Sequence, residues 1–169
     1  MKAIYIVFVC LFSFSVNAQQ NNTSCKCCTE KHGEFDFWIG KWTVTNPDGS
    51  FAGTNVIDKI QDNCILRENW TSANKGYTGT SNNFYNATTK QWEQIWVDNQ
   101  GGSLHLKGNR VGNRMILKSD MITDSKGQKF HHKVTWTLNE DGSVRQYWET
   151  ITIDNSITVA FDGLYKKTE

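Results

Sequence analysis

The sequence is short of proline and of net charge, and it carries none of the short motifs that mark common chemistries. One proline in 169 residues excludes collagen-like repeats and proline-rich linkers. Eighteen basic residues stand against 17 acidic ones, so nothing here has the clustered positive charge that holds nucleic acid or an anionic membrane. There is no Gly-x-Ser-x-Gly elbow, no His-Glu-x-x-His and no dinucleotide Gly-x-Gly-x-x-Gly. The stretch Gly76-Tyr77-Thr78-Gly79-Thr80-Ser81 looks like a phosphate loop only on its surface. It leads into another extended arm and lacks the helix N-terminus that makes such loops bind. Beyond residue 18 no apolar run approaches the ~18 residues of a membrane-spanning helix. Sustained 3.6-residue apolar periodicity is missing too. What is abundant is aromatic: seven Trp, nine Phe and five Tyr, which excludes a disordered chain.

The N-terminus predicts export. Met1-Lys2 gives a positive start, Ala3 to Val16 is apolar apart from Ser13 and Ser15, and Val16-Asn17-Ala18 offers the small residues a signal peptidase reads. The expectation is a signal peptide over 1–18, a mature chain from Gln19, and a periplasmic or secreted protein. Cys10 leaves with the signal, and Lys2 with it, so the mature charges balance.

Four cysteines remain: Cys25, Cys27, Cys28 and Cys64. In an oxidising compartment all four are disulfide candidates, and three pairings are open. A bond from the Cys25–Cys28 cluster to Cys64 would tether the N-terminal arm to the rest of the molecule. The rival is a thiolate metal site using Cys25, Cys27, Cys28 and His32. The three clustered cysteines fall as C-x-C-C, with the fourth far off at Cys64, and no metal is expected.

Residues 19–34 are polar, cysteine-rich and aperiodic, and read as a loose arm. From Phe35 to Lys167 short arms alternate with turn chemistry. The turns fall at 46–49, 62–63, 74–76, 86–90, 98–102, 108–113, 124–127, 139–142 and 154–156, and are dominated by Gly, Asn and Asp. Nine turns separate ten arms rich in Thr, Val, Ile, Tyr and Trp. Phe130, His132, Val134, Trp136 and Leu138 share one face of their arm; Lys129, His131, Lys133, Thr135 and Thr137 share the other. On the next arm Val144, Gln146, Trp148, Thr150 and Thr152 oppose Arg145, Tyr147, Glu149, Ile151 and Ile153. Ile157, Val159 and Phe161 alternate with Thr158 and Ala160. Only Glu34 to Ile39 packs its apolar residues densely enough for a helical turn. Ten hairpin-linked strands favour closure, because a flat open sheet leaves exposed edges. The predicted fold is all-β: an up-and-down antiparallel β-barrel of about ten strands with a short N-terminal helical turn.

The segment Phe35-Asp36-Phe37-Trp38-Ile39-Gly40-Lys41-Trp42 places Gly-x-Trp after that turn, where the first strand begins. It resembles the first signature of the lipocalins and the wider calycin superfamily. With Cys64-Ile65-Leu66-Arg67-Glu68 and Trp92-Glu93-Gln94-Ile95-Trp96-Val97-Asp98-Asn99, the phrase FDFWIGKW is similar to a group of exported bacterial proteins with lipocalin-like domains. The resemblance covers Phe35 to Tyr165. It implies that a turn of 3₁₀ helix plugs one barrel end and that Trp42 packs across the base. The Thr-Asp-Tyr signature of classical lipocalins is absent, Leu164-Tyr165-Lys166-Lys167 offers no Arg to stack on Trp42, and ten arms exceed the lipocalin eight. The likeness is therefore to the superfamily.

A barrel of this size has room for a small ligand. The candidate walls are Trp70, Phe84, Trp92, Trp96, Trp136 and Trp148, with Glu68, Gln94 and His132 as polar anchors; Trp38 and Trp42 read as structural. The expected function is binding of a small apolar or aromatic molecule by an exported monomer. One alternative is an isomerase or hydrolase using Glu68 and His132, with Asp98 a further carboxylate to consider. Another is a structural or interaction module with the cysteine arm as its contact surface, whose barrel is filled, so that indole N–H groups bond Gln or Glu and nothing binds inside. Adjacent His131 and His132 point to opposite faces and cannot share a metal, and His105 reads as solvent-side. A single inward His could hold haem, as it does in the nitrobindin-like relatives, but no second signature supports it. No cofactor is expected.

Overall fold

The structure, a computed structural model, describes residues 25–168. The signal peptide expected over 1–18 and the start of the arm lie outside the described residues. Among those described, no helix is long and apolar enough to cross a membrane.

A one-turn helix, α1 (Glu30–Gly33), is followed by a 3₁₀ turn at Asp36–Trp38 and then by strands alone. These are β1 (Gly40–Thr45), β2 (Phe51–Ile60), β3 (Ile65–Ser72), β4 (Thr78–Asn86), β5 (Gln91–Asp98), β6 (Ser103–Val111), β7 (Arg114–Lys118), β8 (Ile122–Thr123), β9 (Lys129–Leu138), β10 (Val144–Thr152) and β11 (Ile157–Lys167). Every pairing is antiparallel. Strands β1 to β7 each join the next in sequence, β7 joins β9, β9 pairs with β10 and β10 with β11, and β11 returns to β1 to complete the ring. Ten strands make this closed barrel. The two-residue β8 continues the line of β7 along β9, so the two together form one interrupted arm. The nine expected turns are all present, and each holds a residue with positive φ. Asp62, Asn63, Lys90 and Asn155 take that conformation without being glycine.

The arm is more ordered than its sequence suggested. Its last residues form α1, and the expected turn at 34–39 narrows to the 3₁₀ segment. That segment closes one end of the barrel. Phe35 stacks on Trp38 at 5.1 Å between ring centroids and meets Trp136 and Trp92 edge-on at 5.2 and 5.7 Å. Each such pair adds on the order of 1 kcal/mol beyond the apolar area it buries. Trp42 donates from Nε1 to the Trp38 carbonyl at 2.9 Å. Outside, Arg110 lies over the Phe37 ring and donates to the Glu34 carbonyl, while Lys59 pairs with Asp36. Where the sequence offers no Arg for Trp42, a lysine stands over it: Lys167 Nζ sits 5.5 Å from the centre of its ring.

Two disulfides fasten the arm, Cys25–Cys28 and Cys27–Cys64. The second spans 37 residues and bolts the arm to the β2–β3 turn. With all four sulfurs paired, the thiolate metal reading fails, because a disulfide sulfur has no negative charge to offer a metal.

Candidate functional site

Above the aromatic plug the barrel encloses a cavity of about 330 Å³, at the lower end of the range for small-ligand pockets. Three layers build it. The alternation of β3 turns Leu66, Glu68 and Trp70 inward, and that of β5 turns Trp92, Gln94 and Trp96 inward. The lowest members, Leu66 and Trp92, belong to the closed-end core. Glu68 and Gln94, with Gln146 of β10 and Tyr165 of β11, form a polar floor, and Trp70, Trp96, Trp148, Tyr77 and Phe161 form aromatic walls. The exposed lining residues Phe51, Ala73, Asn74 and Ala160 mark the mouth. It lies beside a seam where β1 is too short to cover β11, since the two pair only from Leu164 to Lys167.

Two glycines make the walls possible. A Cβ on Gly79 would lie under 3.0 Å from the Trp96 indole, and one on Gly53 would do the same to Trp70. The indoles press against bare backbone of a nearby strand, a recurrent use of glycine inside sheets.

The floor is one hydrogen-bonded chain. Gln94 Nε2 donates to Asn83 Oδ1 (2.8 Å), Asn83 Nδ2 to Ser81 Oγ (2.9 Å), and Ser81 Oγ to Glu68 Oε2 (2.6 Å). From the other side Asn55 Nδ2 donates to Glu68 Oε1 at 2.7 Å. Glu68 is only 4% exposed. Desolvation pushes its carboxyl up from 4.5 to about 7, against the lowering effect of the Ser81 and Asn55 bonds. Tyr165 donates its hydroxyl to Gln146 Oε1. Burial and the neighbouring Glu68 hold its phenol well above the ordinary range. Asn55 Oδ1 is buried with no donor.

Of the residues singled out from sequence, Glu68, Trp70, Gln94, Trp96 and Trp148 line the cavity together. Trp92 and Trp136 do not; they are fully buried in the plug against Phe35, one layer too low. His132 faces inward but stands behind the wall. Its Nδ1 accepts from Trp148 Nε1 at 3.0 Å and lies 3.1 Å from Thr150 Oγ1, so it holds Trp148 in place. Burial, helped by His131, lowers its pKa. Phe84 is corrected: β4 turns Gly79, Ser81 and Asn83 inward, which sends Phe84 to the outer face. Asp98 is no candidate acid. The Gly102 and Gln100 amides bond its carboxylate and hold its pKa below the usual value. Arg67 points outward to Asp58, and His105 outward to Glu93.

Sequence reading missed Tyr77, Gln146, Phe161 and Tyr165. Gln146 was legible, because it shares a face with Trp148. Phe161 was obscured by a bulge: Trp148 pairs with Phe161 but Glu149 with Val159, leaving Ala160 as an extra residue. Ile157 and Val159 therefore face out while Ala160 and Phe161 both reach the cavity. Indole bonding also departs from the filled-barrel expectation. Trp42 and Trp148 bond a carbonyl and a histidine, and the buried N–H groups of Trp38, Trp92 and Trp136 have no partner. No family model and no curated protein matches the chain, so the cavity's own geometry carries the functional reading.

Proposed function

We propose that this protein is an exported carrier that binds a small, largely apolar or aromatic molecule inside its barrel. The observation that carries the reading is the cavity itself, where five aromatic side chains converge above a floor of hydrogen-bonded polar groups. Flat apolar walls with a few fixed polar atoms are the usual make-up of a small-molecule site. Two disulfides favour an oxidising compartment, the periplasm or the exterior. The lipocalin-like kinship is part of the same proposal. It is supported by the 3₁₀ plug, by Trp42 across the base and by Lys167 over its ring. An acid–base enzyme is less well supported, because Glu68 bonds Asn55 and Ser81 whereas His132 bonds Trp148 and Thr150.

The test is a titration with the neutral fluorescent probe N-phenyl-1-naphthylamine. Saturable 1:1 enhancement with quenching of Trp emission is expected. Leu104→Trp, which fills the cavity from a wall position, should abolish it without loss of the β-sheet circular-dichroism signal. No enhancement, or equal enhancement in Leu104→Trp, would favour a filled structural barrel.

A further inference from the structure

We infer that the ligand is an organic cation, an alkylammonium on a single ring or short chain, whose charged nitrogen pairs with Glu68 while the indoles enclose the rest. This inference rests on the cavity being a binding site. The first observation is charge. Among the lining residues there is one acid, Glu68, and no Lys, Arg or His. None of the ion pairs among the described residues includes Glu68. A carboxylate this deep normally has a cation beside it or else takes up a proton.

The second observation is direction. Both Glu68 oxygens accept, one from Asn55 and one from Ser81, and the chain from Gln94 through Asn83 also donates towards them. Such an arrangement serves the anionic form, and only the positive partner is missing. A further acceptor lines the floor: Gln146 Oε1, which takes the Tyr165 hydroxyl and keeps a second lone pair. An ammonium has several N–H donors and no acceptor, which complements this set. The third observation is the wall. Trp70, Trp96 and Trp148 bound the cavity, and indole faces attract cations, most strongly where water is excluded.

Proton linkage makes the inference testable. Binding an ammonium requires the carboxylate, so affinity rises as pH passes through the Glu68 value of about 7. Few other groups near Glu68 titrate in that range. β2 and β4 present Asn55 and Ser81, and β5 and β10 present Gln94 and Gln146. Tyr165 on β11 and Tyr77 before β4 are phenols shifted upward. His132 on β9 has a lowered pKa and is bonded behind Trp148.

The experiment uses the mature, disulfide-bonded protein and three probes of one shape, 2-phenylethylamine, 2-phenylethanol and phenylacetate, titrated by calorimetry between pH 6 and 8. The amine should bind at least about tenfold more tightly than the alcohol at pH 8, and phenylacetate weakest of all. Amine affinity should fall about tenfold from pH 8 to pH 6, while the alcohol stays flat. Glu68→Gln should remove both the amine preference and the pH dependence; if that variant does not fold, the pH profile of the unaltered protein decides. Equal binding of amine and alcohol at pH 8, tighter binding of phenylacetate, or a flat amine profile overturns the cation. Failure of all three probes also overturns it, whatever the naphthylamine result, which alone decides the cavity reading.

Discussion

At the scale of single residues, Glu68 is held where a charged carboxylate is costly without a partner. Its pKa rises from 4.5 in the ordinary state to about 7 in the fold, chiefly through desolvation. The folded chain therefore holds this proton more tightly than the unfolded chain does. That contribution to stability is complete below about pH 4.5 and is lost as pH rises through about 7, an effect on the order of 3 kcal/mol. In urea denaturation at pH 5 and pH 8, the native sequence should lose stability relative to Glu68→Gln by roughly that amount at the higher pH. Parallel changes in the two proteins would show that Glu68 is not the group responsible. His132 makes a second point at this scale. Alternation along β9 does turn it inward, yet what it does there depends on Trp148, a residue of the next strand.

At the scale of elements, the cavity walls depend on pairs of strands in which one supplies an indole and the other its absence. Trp96 on β5 lies over Gly79 on β4, and Trp70 on β3 over Gly53 on β2. Gly79→Ala would push a methyl group into the Trp96 ring. Overpacking of this kind costs about 1–3 kcal/mol, so the urea midpoint should fall and Trp emission should shift as the ring moves into the cavity. Unchanged emission would mean that the ring does not rest on Gly79. Mid-strand glycines opposite tryptophans are visible in a sequence once the register is known. Register is a property of paired strands, so the roles of Gly53 and Gly79 beneath the indoles are not legible in the sequence alone. The bulge at Ala160 misled for the same reason: one extra residue against β10 reverses which side chains of β11 face in.

At the scale of the molecule, a closed ring of ten strands is plugged at one end, and the plug is anchored by the arm through Cys27–Cys64. A cross-link spanning 37 residues is worth about 4 kcal/mol in the chain-entropy account, whereas Cys25–Cys28, spanning 3, is worth much less. Replacing Cys27 and Cys64 together with Ser should therefore lower the thermal midpoint more than replacing Cys25 and Cys28, and the reverse order would contradict this assignment. The sequence by itself determined the all-β class, the ten arms, the nine turns and the inward placement of Glu68, Trp70, Gln94, Trp96 and Trp148. All of these follow from two-residue alternation and turn chemistry, which are local. It left open which cysteines pair, which tryptophans wall the cavity and which fill the plug, and whether Glu68 meets His132. Those outcomes depend on the stagger of strands around a closed ring and on the height of each side chain within it, and only the assembled barrel decides them.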